Sequence, residues 1–180
     1  MKPGFSGSVP EVLPDLLHPG LHLVFCGTAA GAVSARLGAY YAGPGNRFWP
    51  TLHATGLTPR LLSPAEFPLL LQWGIGLTDL AKRASGADAD LPPGSFDPAG
   101  LRARLARFRP ANLAFTGKRA AAEFLGRPSA SLGYGVQEPL PGLPALWVLP
   151  SPSGAARGHW DIAPWQALAE AVRMPSCWRA

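Results

Sequence analysis

Leu21 to Gly27, LHLVFCG, is a short apolar run that stops at a glycine and leads into the small residues Thr28-Ala29-Ala30-Gly31. A continuous apolar run of this length, closed by a turn signal, is the pattern of a strand buried on both faces, as in a parallel sheet. Beyond it, TAAGAVSARLGAYYAGPGN is too broken by Gly and Pro to be regular throughout, and Asn46 then opens a predicted helix to about Ala54. Ser63-Pro64-Ala65-Glu66 is a helix start: Ser caps, Pro takes the first helical position and Glu completes a capping box. That helix is expected to reach about Trp73, before Gly74.

Ile75 to Leu80, IGLTDL, predicts a second strand ending in polar residues, and Ala84 to Gly94 a loop. Asp97-Pro98 caps a helix through about Phe108, in a stretch carrying Arg102, Arg104, Arg107 and Arg109. Ala111 to Gly117 predicts a third strand, Lys118 to about Leu125 a helix, Ala145 to Pro150 a fourth strand and Pro164 to Val172 a last helix. Strands alternating with helices at this spacing argue for an α/β fold with a mostly parallel central sheet flanked by helices. One domain over 21–174 is expected, with a loose N-terminal lead-in over 1–20 and a tail over 175–180. Ligands of such sheets bind beyond the carboxyl ends of the strands. The polar and glycine-rich punctuation falls there: Gly27-Thr28, Thr78-Asp79, Thr116-Gly117-Lys118 and Ser151-Pro152-Ser153-Gly154.

Composition narrows the class. The 180 residues carry a formal charge of +5, and 13 of the 16 basic residues are arginine. A guanidinium fork matches phosphate oxygens, so the balance permits nucleic acid without demonstrating it. No apolar stretch approaches the roughly 20 residues of a membrane span, and no membrane partner is expected. The opening twenty residues lack a basic segment followed by an apolar one, so a secretory signal is not expected. Two cysteines, Cys26 and Cys177, supply neither a disulfide framework nor a four-cysteine metal site. A reducing cytoplasm is the expected compartment, with nucleoid association if the source is bacterial.

Three segments carry chemistry. In Cys26 to Gly31, CGTAAG, a Gly-rich turn after a buried strand can aim backbone N–H groups at an anion or a carbonyl oxygen. It is neither GxGxxG nor a P-loop. Tyr40 to Pro50, YYAGPGNRFWP, puts two tyrosines on a constrained loop beside the rim, where a flipped base needs a flat surface. Phe48 and Trp49 are read as core. Leu149 to Gly158, LPSPSGAARG, is a compact loop able to enter a duplex and fill the gap left by an extruded base.

Taken in order, Gly27-Thr28-Ala29-Ala30-Gly31, Tyr41, Asn46-Arg47-Phe48-Trp49, Thr116-Gly117-Lys118 and Ser151-Pro152-Ser153-Gly154 resemble the motifs of the mismatch-specific uracil-DNA and thymine-DNA glycosylases, over roughly Leu21 to Val172. The resemblance implies a doubly wound fold, no cofactor, and double-stranded DNA carrying a damaged or mismatched base as the partner of a monomeric enzyme. It implies that Tyr41 stacks on the flipped base and that Thr28, Ala29 and neighbouring backbone lie at the base edge. Ser34, Lys118, Ser151 and Ser153 would lie near phosphates or the sugar. Gly154, Ala155, Ala156 and Arg157 would form the wedge.

One departure bears on mechanism. Where the family's first motif has a water-positioning asparagine this chain has Ala29, and Ser151 stands in place of the familiar histidine or asparagine of the last motif. Asp79 is the candidate replacement, at the end of the second strand and on the same rim; a turn-capping role is the plainer alternative. A related hypoxanthine-removing branch resembles this chain in carrying an Asp after a similar strand. Asp88, Asp90, Asp97, Asp161 and His159 are fallbacks, with Asp97 most simply a helix cap. The expected activity is hydrolysis of the N-glycosidic bond of uracil, especially in G·U mismatches, without strand cleavage. Other bases (thymine in G·T, hypoxanthine, an etheno adduct) and a lesion-binding protein with little catalysis stay open.

Overall fold

A computed structural model of the chain describes residues 10–156, 158 and 160–173. Its centre is a five-stranded sheet in the order β2-β1-β3-β5-β4. The strands are β1 (Leu23–Ala30), β2 (Ile75–Ser85), β3 (Asn112–Phe115), β4 (Gly135–Val136) and β5 (Ala145–Val148). The three pairings that join β2, β1, β3 and β5 are parallel, and β4 runs antiparallel against β5. The mostly parallel sheet is as the sequence implies; the two-residue edge strand β4 was not anticipated, being too short to leave a periodic signal.

Alternation along the strands sorts the core into two layers. Leu23 and Phe25 of β1, with Ile75 and Leu77 of β2, point to one face. There they meet Trp49 and Leu52 of α2 (Phe48–Ala54), Leu70 of a 3-10 helix (Pro64–Trp73) and Trp165 and Leu168 of α5 (Ala163–Ala171). Val24, Cys26, Leu113 and Phe115 point the other way, onto Leu101 and Leu105 of α3 (Pro98–Phe108) and Ala120, Ala121 and Phe124 of α4 (Lys118–Leu125). Each central strand is therefore apolar on both sides, which is why LHLVFCG reads as one unbroken apolar run. A short α1 (Ala32–Leu37) follows β1 directly.

The helix signals act as their chemistry dictates. Asp97 accepts the amide of Gly100 at 2.8 Å and so caps α3. Asp161 accepts the amide of Ala163 at 2.9 Å at the start of α5. Asn46 Oδ1 accepts the amide of Phe48 at 2.9 Å, so α2 begins at Phe48 and not at Asn46. Ser63 and Glu66 form the capping box, but the helix they open is 3-10, with Pro68 inside it. A proline there has no N–H for an α-helical bond.

Three expectations are corrected. β1 does not stop at Gly27 but runs to Ala30, because β2 continues alongside it to Ser85. Asp79 consequently sits inside β2, not at its end. Nor is the described part of the lead-in loose: Leu16 bridges Leu77 of β2 in both directions, at 2.9 and 3.0 Å, and the Val12 amide donates to Lys82 O at 2.8 Å. Leu13 is 1% exposed. This segment straps the outer edge of β2, satisfying backbone groups that a bare edge would leave unpaired. Its close approach depends on Gly76, where a Cβ would stand 2.6 Å from both Leu16 O and Leu21 Cδ1. Gly76→Ala is expected to lower stability by about 1–3 kcal/mol, the usual cost of forcing extra volume into packed structure. The measurement is a urea titration, with a lower midpoint and an unchanged slope.

Candidate active site

β1 lies between β2 and β3, and the chain leaves it first toward β2 and later, on the opposite side, toward β3. A doubly wound sheet opens a crevice at such a reversal, beyond the carboxyl ends of the strands. The crevice here is a cleft of about 610 Å³. Its walls are Gly27 to Ser34, the loop from Tyr40 to Asn46, Asp79, Gly86 to Asp88, Thr116 to Arg119 and Ser151 to Ala156. All four stretches of rim punctuation thus contribute. β3 pairs with β1 only as far as Cys26 opposite Phe115, so beyond that point one edge of β1 has no strand partner and fronts the cleft.

Asp79 lies opposite Gly27 in the β1–β2 register and is 4% exposed. A Cβ at residue 27 would meet Asp79 Oδ1 at 2.5 Å and the Tyr41 hydroxyl at 3.4 Å. Glycine at 27 therefore makes room for the carboxylate. No hydrogen bond to the Asp79 side chain occurs among the described residues, which removes the turn-capping alternative. Burial pushes its pKa up to about 7; Lys82 and Arg104 draw it down, and Asp15 adds to the rise. A carboxyl poised there can take a proton near neutrality.

Tyr40 and Tyr41 divide their work. Tyr40 is 2% exposed and belongs to the core, and its carbonyl accepts the indole N–H of Trp49 at 3.1 Å. Tyr41 adopts a left-handed backbone, φ 53°, unusual for a bulky residue. Its ring stacks on Phe48 at 3.8 Å and 16°, and its hydroxyl lies 3.1 Å from Thr116 Oγ1. Phe48 and Trp49 are buried, as read from the sequence.

The remaining expected residues fall out unevenly. Thr28 and Ala29 line the cleft, and Thr28 Oγ1 donates to Asp88 Oδ2 at 3.2 Å across its mouth. Ser34 also borders it, yet the side chain is buried and accepts the Ala42 amide at 3.0 Å, so its hydroxyl organises the tyrosine loop. Lys118 lies with its ammonium 4.6 Å above the ring of Tyr134. Ser151 Oγ accepts the Ser153 amide at 3.3 Å, and Ser153 Oγ accepts that of Ala155 at 3.3 Å. The Arg47 amide ties this loop to the tyrosine loop through Pro152 O at 2.8 Å. Gly154 sits tightly there, since a Cβ would approach Pro44 O at 2.8 Å. Gly154, Ala155 and Ala156 line the cleft, whereas Arg157, the last expected wedge residue, and His159 lie outside the described residues. Asp88 reaches the cleft; Asp97 and Asp161 are spent on helix caps, and Asp90 is not part of the wall.

The model of the uracil DNA glycosylase superfamily matches residues 14–171. The chain belongs to the uracil DNA glycosylase superfamily. It is accordingly a DNA-repair glycosylase, a hydrolase of N-glycosidic bonds that acts on DNA. The glycosylase is also similar in structure to a Methanosarcina acetivorans protein, provisionally described as a uracil DNA glycosylase and solved by solution NMR. The TM-score is 0.59 at 20% identity, covering 92% of this chain and 99% of that one. At that identity the likeness speaks to the α/β fold alone.

Sequence reading missed Asp15 and Lys82, which pair with each other at 2.7 Å and whose charges act on Asp79. The available signal was a charged residue, Lys82, soon after the apolar IGLTDLA; nothing in the sequence marked Asp15. The raised Asp79 pKa has a sign for stability. Below about pH 4 the carboxyl is protonated in both states, its ordinary value being 3.8. As pH rises toward 7 the unfolded chain releases this proton first, so the folded state loses stability until both are ionised. Asp79→Asn is therefore expected to raise Tm by several degrees at about pH 8, with the gap closing toward about pH 4. Scanning calorimetry at both values tests this; a Tm difference independent of pH contradicts it.

Proposed function

We propose that this glycosylase removes uracil, above all from G·U mismatches, by flipping the nucleotide into the cleft and hydrolysing its glycosidic bond. The observation that carries the reading is a buried carboxylate, Asp79, facing the cleft without a hydrogen-bond partner among the described residues and with a pKa near 7. Tyr41, backed by Phe48, offers the flat surface on which the base stacks. Thr28 and Ala29 stand at the base edge, and the unpaired edge of β1 supplies N–H groups toward the departing base. Lys118, Ser151 and Ser153 hold the sugar and phosphates, and the loop at Gly154, Ala155, Ala156 and Arg157 fills the space left in the duplex.

In the chemical step Asp79 orients water and accepts its proton as the oxygen attacks C1′. The bond from C1′ to N1 breaks, uracil leaves as the N1 anion, and an abasic site remains. Cleft volume suits one nucleotide. Neither lysine of the fold is free to act as a Schiff-base nucleophile. Lys82 is 6% exposed and paired with Asp15 at 2.7 Å, and Lys118 lies over Tyr134. This supports base release without strand cleavage. The alanine at 29 favours a second reading, a lesion-binding protein with little turnover.

Single-turnover release from labelled duplexes bearing U·G, U·A and T·G tests the proposal. Wild type is expected to release uracil, and Asp79→Ala to lose about 100-fold or more, the scale of acid–base help. Because the base form is the ionised carboxylate, the rate should climb with pH through about 7 and level off above it. Tight binding to U·G or abasic duplexes without release of any base would replace this reading with the second one.

A further inference from the structure

Lys82 is a buried cation that the mechanism leaves unused. The β1–β2 register breaks just before it: Ala29 faces Ala81, whereas Ala30 faces Ser85, so residues 82–84 form an irregularity in β2. Such bulges re-aim a side chain, often beside an active site. The Lys82 ammonium donates to Leu13 O at 2.6 Å and pairs with Asp15 Oδ1 at 2.7 Å. Glu11 is more distant, at 3.8 Å. A fourth neighbour of the ammonium is the Tyr40 hydroxyl, at 3.4 Å, which donates to Pro14 O at 3.1 Å. Asp15 is itself fixed, since Oδ1 accepts the hydroxyl of Thr78 at 2.6 Å and Oδ2 lies 3.5 Å from Arg104 Nε. Arg104 returns to the site by donating to the backbone carbonyl of Asp79 at 3.1 Å. One ammonium thus joins the N-terminal strap, the tyrosine loop and the strand that bears Asp79.

We propose that Lys82 is a positioning residue of the glycosylase reaction, held by the strap through Leu13 and Asp15 so that its charge supports the Asp79 carboxylate from behind. This inference rests on the role proposed above for Asp79. A burial this complete favours the neutral acid, which cannot accept a proton from water. The charged groups around Asp79 are Lys82 and Arg104, which favour the carboxylate, and Asp15, which opposes it. Cys26, Tyr40 and Tyr41 lie close by and are held neutral, since burial raises all three. Asp15 therefore has two effects of opposite sign. It anchors the ammonium, and its own charge partly offsets what that ammonium does for Asp79.

The test is the pH dependence of single-turnover uracil release by the full chain, for wild type, Lys82→Met, Lys82→Arg, Asp15→Asn and Asp79→Asn. Lys82→Met is expected to move the midpoint of the rising limb upward by about one unit, and so to cost about fivefold in rate at pH 7, nearing tenfold on the acid side of the midpoint, with little loss at high pH. Lys82→Arg should restore most of that shift, and Asp15→Asn should move the midpoint downward. A merely structural lysine would lower rates equally at all pH values and leave the midpoint in place; that result overturns the proposal. If Lys82→Met does not fold, Lys82→Gln is measured in its place, and a midpoint superimposable on wild type overturns the proposal. An Asp79→Asn variant as active as wild type overturns the role of Asp79. With Asp79→Asn inactive, a Lys82→Met profile superimposable on wild type overturns only the role of Lys82.

Discussion

The structure hangs on the parallel pairing of β1 with β2, which sets Gly27 directly across from Asp79. A residue with any side chain at 27 would occupy the place of a carboxylate oxygen. With hydrogen there instead, an acid can be carried into the sheet's interior between the buried Leu77 and Leu80 of the same strand. Both partners lie on strands clamped between two helical layers, which holds the carboxylate at the cleft wall. Ladder hydrogen bonds fix its height in the cleft, and packing on both faces fixes its direction.

That constraint has an electrostatic consequence. A carboxylate sealed in this way is disfavoured by desolvation, and neighbouring charges set how far the penalty goes. Lys82 and Arg104 come from the strand that bears Asp79 and from α3, while Asp15 comes from the N-terminal strap. The strap closes the outer edge of β2 and brings a charge behind the site at the same time. Sheet protection and control of the acid are thus one structural element, which explains why the segment from Val12 to Leu16 folds down on the sheet.

The aromatic wall follows a similar economy. Phe48 meets Phe25 edge-on at 5.2 Å, Trp49 edge-on at 5.0 Å and Tyr41 in a parallel stack. Each such pair contributes about 0.5–1.5 kcal/mol beyond burial. Phe48 is core, yet it stacks on Tyr41, which lines the cleft. The NRFW segment therefore connects the packing of the domain to the site, while the Arg47 amide fastens the neighbouring Pro-Ser loop.

Local chemistry was legible in the sequence. Apolar runs bounded by glycine gave strands, Asp97 and Ser63 gave helix starts, and the rim segments gave the location of a cleft, because each of these depends on a few adjacent residues. The superfamily was legible for the same reason, its motifs being short and ordered. What only the tertiary structure decided was relational. β2 outruns its apolar stretch because β1 lies beside it, and the lead-in is ordered because Leu16 finds Leu77. Ser34 braces the tyrosine loop because the Ala42 amide comes within reach of its hydroxyl. Asp79 is poised near neutrality because burial, Lys82, Arg104 and Asp15 act on it together, and no linear pattern encodes which distant charges a fold will bring to one carboxylate.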